Sequence, residues 1–178
     1  MRYFYDTEFI EDGSTIELVS IGIVAEDGRE YYAVSNEFDA SRANNWVREH
    51  VLTKLPRTDH PAWKAPAQIR DEVFAFFTAS RTKPELWAWV GAYDHVVLAQ
   101  LWGDMSGLPV ELPRYTRELK QYWEMAGRPR LPKVPEDNHD ALVDARHNLR
   151  KFRVCVEALP LDRKGGVKAS AKHSVKPQ

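Results

Sequence analysis

Tyr3-Phe4-Tyr5-Asp6-Thr7-Glu8-Phe9, residues 3–9, is the stretch that decides the fold. Residues 2–7 alternate and are rich in aromatics, the period-two pattern of a β-strand. Asp6-Thr7-Glu8 stands at the strand's C-terminal end. Strand side chains alternate between faces, so Asp6 and Glu8 share one. Two carboxylates side by side repel unless a cation lies between them. Carboxylate oxygens are also what Mg²⁺ or Mn²⁺ prefers. An isolated Asp-x-Glu is short and common, so its surroundings must decide.

Working outward, Leu18–Val24 reads as a second, central strand after the turn signal Glu11-Asp12-Gly13-Ser14. Glu30–Val34 follows the Asp27-Gly28 turn as a third strand, the layout of a hairpin. Ala43–Leu52 then reads as a helix with Ser41 as N-cap. Pro56, Pro61 and Pro66 predict an irregular loop. Ile69, Val73, Phe76 and Phe77 repeat at i, i+4, i+7 and i+8, one buried helical face. Glu85–Gly91 is a fourth strand, Tyr93–Trp102 a short helix, and Pro113–Thr116 a short fifth strand leading into a helix to about Met125. After the stiff loop of Pro129, Pro132 and Pro135, Asp140 caps a final helix to about Ala158, with Leu142, Ala145, Leu149, Phe152 and Val156 on one stripe. Three strands, then helices alternating with two more, predict an α/β fold with a mixed five-stranded sheet flanked by helices.

The chain has 178 residues, 43% of them hydrophobic and 29% charged, which suits one soluble domain. At this length roughly 70% of the unfolded surface is buried, so no disulfide staple is needed. Cys155 is the single cysteine, which excludes an intramolecular disulfide and a Cys-based zinc site. No apolar run is long enough to cross a membrane and the N-terminus lacks a signal-peptide layout, so a reduced, cytoplasmic protein is expected. The net charge of −1 hides an asymmetry: Arg163, Lys164, Lys168, Lys172 and Lys176 face only Asp162 beyond Pro160. Residues 1–159 are therefore expected to form the domain, and 160–178 a basic, disordered tail.

Two further acidic signals accompany the first. Asp94 follows the fourth strand, at the switch from strand to helix where α/β proteins place their sites; alone it reads more readily as a cap of the helix over residues 95–102. His139 and Asp144 bracket the start of the last helix, the histidine on the preceding loop. His95 and His147 are rival histidines, and His147, three residues after Asp144, reads as a salt-bridged surface residue.

Taken in order, Asp6-x-Glu8, Asp94 and His139-x₄-Asp144 resemble the three motifs of the DEDDh 3′→5′ exonucleases. That is the family of ribonuclease T, oligoribonuclease and the proofreading exonucleases. The wording Tyr-Phe-Tyr-Asp-Thr-Glu-Phe and Trp-Val-Gly-Ala-Tyr-Asp-His is most similar to the compact actinobacterial 3′→5′ exoribonucleases within it. The resemblance spans roughly residues 2–157 and implies a ribonuclease H-like core. It departs in two places: Val90 stands where many members have Asn, and Phe9-Ile10 where many have Thr-Gly. It implies a two-metal hydrolysis of RNA 3′ ends, with Mg²⁺ (or Mn²⁺) held by Asp6, Glu8, Asp94 and Asp144 and His139 as general base. The products would be nucleoside 5′-monophosphates.

Thr7, the backbone of Glu8, and Phe9 are expected to meet the terminal nucleotide, Phe9 by stacking. Trp46 and Trp63, near loops or helix ends, are further stacking candidates. Members of the family are often homodimers in which one protomer lends cations to the other. Arg114, Arg117, Lys120, Arg128, Arg130 and Lys133 are candidates for that loan, or for a plain solvated face. DNA 3′-end trimming and a nucleic-acid-binding module that has lost activity are the alternatives.

Overall fold

The computed structural model describes residues 1–161. The basic tail expected beyond Pro160 lies almost wholly outside the described residues. Six strands form one mixed sheet: β1 (Arg2–Glu11), β2 (Ile16–Ala25), β3 (Glu30–Ser35), β4 (Trp63–Lys64), β5 (Glu85–Ala88) and β6 (Arg117–Glu118), in the order β4-β3-β2-β1-β5-β6. The first three are antiparallel neighbours. β4 runs parallel to β3, β5 to β1 and β6 to β5. Among the described residues five α-helices accompany them: α1 (Asn45–His50), α2 (Pro66–Thr78), α3 (Ala92–Gln100), α4 (Leu119–Met125) and α5 (Ala141–Ala158).

The sheet has six strands where the sequence pattern predicts five. The added one is the two-residue pair Trp63–Lys64, which borders Val34 and Ser35 inside the proline loop. A two-residue strand leaves no period to read. The edge strand β6 is Arg117–Glu118 rather than Pro113–Thr116, because Pro113 has no N–H for a ladder. α1 begins at Asn45, with the Asn44 side chain accepting from Val47 N–H at 2.9 Å. Ser41 lies instead in a 3-10 turn, Ala40–Arg42, capped by Asp39. β1 runs on to Glu11, with a register step against β2 between Glu8 and Phe9.

Strand alternation divides the core in two. Tyr3 and Tyr5 pack with Ile69, Val73 and Phe77 of α2 and Leu98 of α3. Phe4 packs on the other face, with Trp87, Leu119 and Tyr122, and with Phe152 and Cys155 of α5. Asp6 and Glu8 continue the Phe4 row and so look toward α5, while Thr7 continues the Tyr row and looks toward α3. α5 lies close against the sheet because its first turn crosses Gly22, the β2 partner of Asp6. A Cβ at Gly22 would stand 2.3 Å from the backbone of Ala141 and Leu142. The strand holding the first carboxylates and the helix holding the last are thus fixed against each other.

Asp140 caps α5 as expected, accepting from Leu142 and Val143 N–H at 3.0 Å each. His147 departs from expectation: it is 2% exposed, not a surface residue. The buried face of α5 takes in Ala141, Ala145, His147, Asn148, Phe152 and Cys155, wider than one apolar stripe. Burial pushes the imidazole down to about 4, so it is neutral at pH 7. Among the described residues no helix is long and apolar enough to cross a membrane.

Candidate active site

Four carboxylates and one histidine converge at the end of the sheet where β1 meets the start of α3 and of α5. Asp94 stands in the first turn of α3, 6% exposed. Its Oδ1 accepts from both the Thr7 N–H and the Thr7 hydroxyl, each at 2.7 Å. The sequence places Thr7 at the terminal nucleotide; in the fold both its donors are spent on orienting Asp94. Glu8, His139 and Asp144 each bring a ligand atom to a common spot, all within 4.8 Å of one another. The His139 N–H donates to Asp144 Oδ2 at 2.6 Å. His139 itself is in the left-handed region, φ 66°, which a non-glycine residue seldom adopts. The loop is tied to Lys54, whose ammonium donates to the Asn138 carbonyl.

The electrostatics of this group are costly without a cation. Asp6 is held well above the usual carboxylate range by burial and by the charges of Asp94, Glu8 and Asp144. Glu8 is pushed up to about 8 by burial, then by Asp144 and Asp94. Asp94 rises to about 6, burial outweighing the Thr7 hydrogen bonds. Asp144 is raised by burial as well. Lys54 and Lys151 oppose these shifts but do not cancel them. A set of part-buried oxygen donors that repel one another is the environment a hard divalent cation relieves, so the residues fit such an ion.

The remaining candidates separate. Phe9 stacks on Tyr93 with centroids 5.5 Å apart and planes 8° apart. Trp46, 48% exposed, meets the His139 ring edge-on at 4.8 Å and stacks on His50 at 4.9 Å. Trp63 instead stacks on Phe38 and donates to the Pro56 carbonyl, a structural role away from the carboxylates. His95 binds Thr116 through Nδ1, behind Tyr5, and does not join the group. Of the basic residues, Arg117 pairs with Glu85, Arg128 with Glu124 and Lys133 with Glu136. The Arg114 guanidinium donates to the Met105 carbonyl.

A profile of the 3′-5′ exoribonuclease Rv2179c-like domain matches residues 1–156. The chain belongs to that family. Two Mycobacterium tuberculosis relatives, the 3′-5′ exoribonucleases Rv2179c of strain H37Rv and MT2234.1 of strain CDC 1551, are each 64% identical over 155 residues, covering 86% of this chain and 92% of theirs. Solved structures share the fold at low identity. Escherichia coli ExoI, in a zinc-bound complex with single-stranded DNA, superposes with a TM-score of 0.63 and 12% identity over 89% of this chain; the match spans 41% of ExoI. Schizosaccharomyces pombe Pop2p, in a Mg²⁺- and Mn²⁺-bound form, gives 0.54 at 13% identity, covering 85% of this chain and 81% of its own. A full-length 3′-exonuclease gives 0.53 at 12% identity, over 99% and 92%.

The Rv2179c-like chain also brings residues to the site that its motifs do not mark. Lys54 has no sequence signal, since it acts on a loop 84 residues away. Lys151 and Asn148 were within reach of helical spacing, at i+7 and i+4 from Asp144.

The carboxyl shifts give a testable stability profile for the metal-free Rv2179c-like protein. Groups whose folded pKa exceeds the unfolded one bind protons more tightly in the fold. For Glu8 that contribution is complete below pH 4.5 and is lost as pH rises through about 8. Neutral His147 acts oppositely: its contribution is present above 6.5 and lost as pH falls through about 4. In EDTA the melting temperature should therefore peak between these limits and drop by about 5–10 °C toward pH 8.5. Millimolar Mg²⁺ should restore most of that loss. A flat profile in EDTA from pH 5.5 to 8.5 would contradict the repulsion.

Proposed function

We propose that this chain is a 3′→5′ exoribonuclease that removes nucleoside 5′-monophosphates from single-stranded 3′ ends or 3′ overhangs of RNA. The observation that carries the reading is the convergence of Asp6 and Glu8 of β1, Asp94 of α3, Asp144 of α5 and His139 of the loop before it on one part-buried acidic spot. In this reading Asp6, Glu8, Asp94 and Asp144 hold two Mg²⁺ ions, for which Mn²⁺ can substitute. Bound there, the ions supply charge neutralisation of the scissile phosphate and a lowered pKa for the attacking water.

The protein's own groups do the rest. Thr7 fixes the Asp94 carboxylate with two hydrogen bonds. Glu8 is held by β1 and Asp144 by the first turn of α5. His139 accepts the proton of the attacking water on its ring while the water oxygen bonds to phosphorus. The bond from phosphorus to the 3′ oxygen breaks, and that oxygen takes a proton from solvent to become the new 3′ hydroxyl. Burial lowers the His139 pKa from its ordinary 6.5, against the opposing pull of Asp144. The ring is therefore an unprotonated base at neutral pH. The Phe9–Tyr93 stack offers a face for the terminal base, and the backbone of Glu8 lies beside it. Homodimerisation and a cytoplasmic setting belong to the same reading. The lone Cys155, buried and free, suits a reducing compartment.

The test uses 5′-labelled RNA, single-stranded and with a 3′ overhang on a duplex, against matched DNA, in Mg²⁺, Mn²⁺ or EDTA. A ladder shortening from the RNA 3′ end and abolished by EDTA is expected. Intact RNA beside degraded DNA moves the function to DNA ends, and both intact leaves a binding module. His139→Asn should lower turnover by about 10²–10⁴-fold and remove the acid limb of the pH–rate profile. Asn tolerates the left-handed backbone, so its melting temperature should match the wild type. Loss of rate together with loss of fold would mean that His139 is structural.

A further inference from the structure

Asp144, Asn148 and Lys151 lie at i, i+4 and i+7 on α5, one face of the helix. Lys151 starts about 10 Å along the axis from Asp144. Helical side chains lean toward the N-terminus, so its long stem carries the ammonium back toward the carboxylates. The ammonium is held in place from two sides. It sits 4.3 Å from the centroid of the Trp89 ring, and that ring packs against Trp123, which is itself fixed by a bond to the Pro129 carbonyl. It also donates to Asn148 Oδ1 at 3.1 Å. Asn148, 1% exposed, donates in turn to the Tyr5 carbonyl at 3.3 Å, one residue before Asp6.

The position is a costly one for a cation. Burial lowers the Lys151 pKa, with Asp144 and Asp6 pulling the other way. Its charge is felt by both carboxylates, yet among the described residues it makes a direct ion pair with neither. The hydrogen bond to Asn148 accounts for one of its three donors. An ammonium with donors to spare therefore stands at the edge of the acidic spot, on a rigid platform.

We propose that Lys151 is a phosphate ligand for the substrate: its ammonium binds a non-bridging oxygen of the RNA phosphodiester brought to the carboxylates. This rests on the nuclease reading of the site. Four carboxylates and a phosphate are all anions, and two divalent ions balance only the carboxylates. The phosphate's own charge, and the charge that grows on it as the water adds, fall to the protein. A fixed cation aimed at developing charge lowers the barrier without reorganising, and lysine binds phosphate as a point charge.

The experiment compares wild type, Lys151→Met and Lys151→Arg. Methionine keeps an unbranched stem on the Trp89 face and removes the charge; arginine keeps the charge. Binding of a labelled single-stranded RNA is followed by fluorescence anisotropy in EDTA across a salt series. kcat/KM is measured separately in Mg²⁺. Lys151→Met should bind about tenfold more weakly, with a slope of log affinity against log salt shallower by about 0.7. Its kcat/KM should fall about a hundredfold. Lys151→Arg should keep the slope and recover part of the rate. Lys151→Met with wild-type affinity, slope and rate overturns the proposal. So does a loss of rate shared equally by Met and Arg at an unchanged slope, which marks a packing role. A wild-type protein that binds RNA through Lys151 but does not shorten it in Mg²⁺ upholds the contact and removes the nuclease reading instead.

Discussion

Asp6→Asn is expected to leave a folded protein that no longer shortens RNA. Asp6 is the most crowded carboxylate of the group, repelled by Asp94, Glu8 and Asp144 at once. It is therefore the one placed to be shared between two cations, and its amide cannot replace that charge. Turnover should drop by about 10⁴-fold or more, a loss on the order of 5–6 kcal/mol of barrier lowering. The same substitution should raise the melting temperature of the metal-free protein at pH 8, because an amide escapes the penalty the fold imposes on ionising that carboxyl among like charges. A catalytic defect coupled to higher stability is a signature that general misfolding cannot produce. Single-turnover RNA cleavage and calorimetry in EDTA read the two effects. Activity within tenfold of wild type would remove Asp6 from the chemistry. A lower melting temperature would make its carboxylate a structural element.

Gly22→Ala is expected to damage fold and chemistry together. Gly22 pairs with Asp6 across β1 and β2, and the first turn of α5 rests on it. The added methyl would meet the backbone of Ala141 and Leu142 at 2.3 Å, atoms that no rotamer change can move. Either α5 lifts or β2 buckles, at a cost of about 3 kcal/mol, which lowers the melting temperature by about 6–12 °C. Lifting α5 carries Asp144 and the attached His139 away from Glu8, and a shift of about 1 Å can cost 10²-fold in rate. Gly28→Ala provides the contrast. Gly28 has φ 93° in the β2–β3 turn, and nothing lies within 4 Å of where an added methyl would stand. Its replacement strains the turn by about 1 kcal/mol and should leave the rate untouched. Equal effects of the two substitutions on rate would sever the link between Gly22 and the site.

Most of the candidate site could be read from the chain because its short motifs, each ambiguous alone, fall in the order of a family they resemble. Strand alternation puts Asp6 and Glu8 on one face, and capping geometry marks Asp140 at the head of α5. Asp94 and His139 stand at element boundaries, where turn chemistry is written in a few residues. What escaped is set by tertiary neighbours. β4 is two residues long and exists because Val34 and Ser35 offer an edge. His147 is buried because α5 is covered over more than an apolar stripe. Thr7 lies in the first motif, yet that its donors turn to Asp94 depends on a helix 87 residues further on. Lys151 sits on the same helical face as Asp144, but its meaning depends on Trp89, which arrives from β5's far end.

The saddle that α5 makes on Gly22 joins the earliest strand of the domain to its last helix, residues 2–11 to residues 141–158. A chain emerging from the ribosome therefore displays Asp6 and Glu8 long before Asp144 exists to complete the set. Docking of α5 and assembly of the acidic group are therefore a single event, and neither end of residues 2–158 holds the full set by itself.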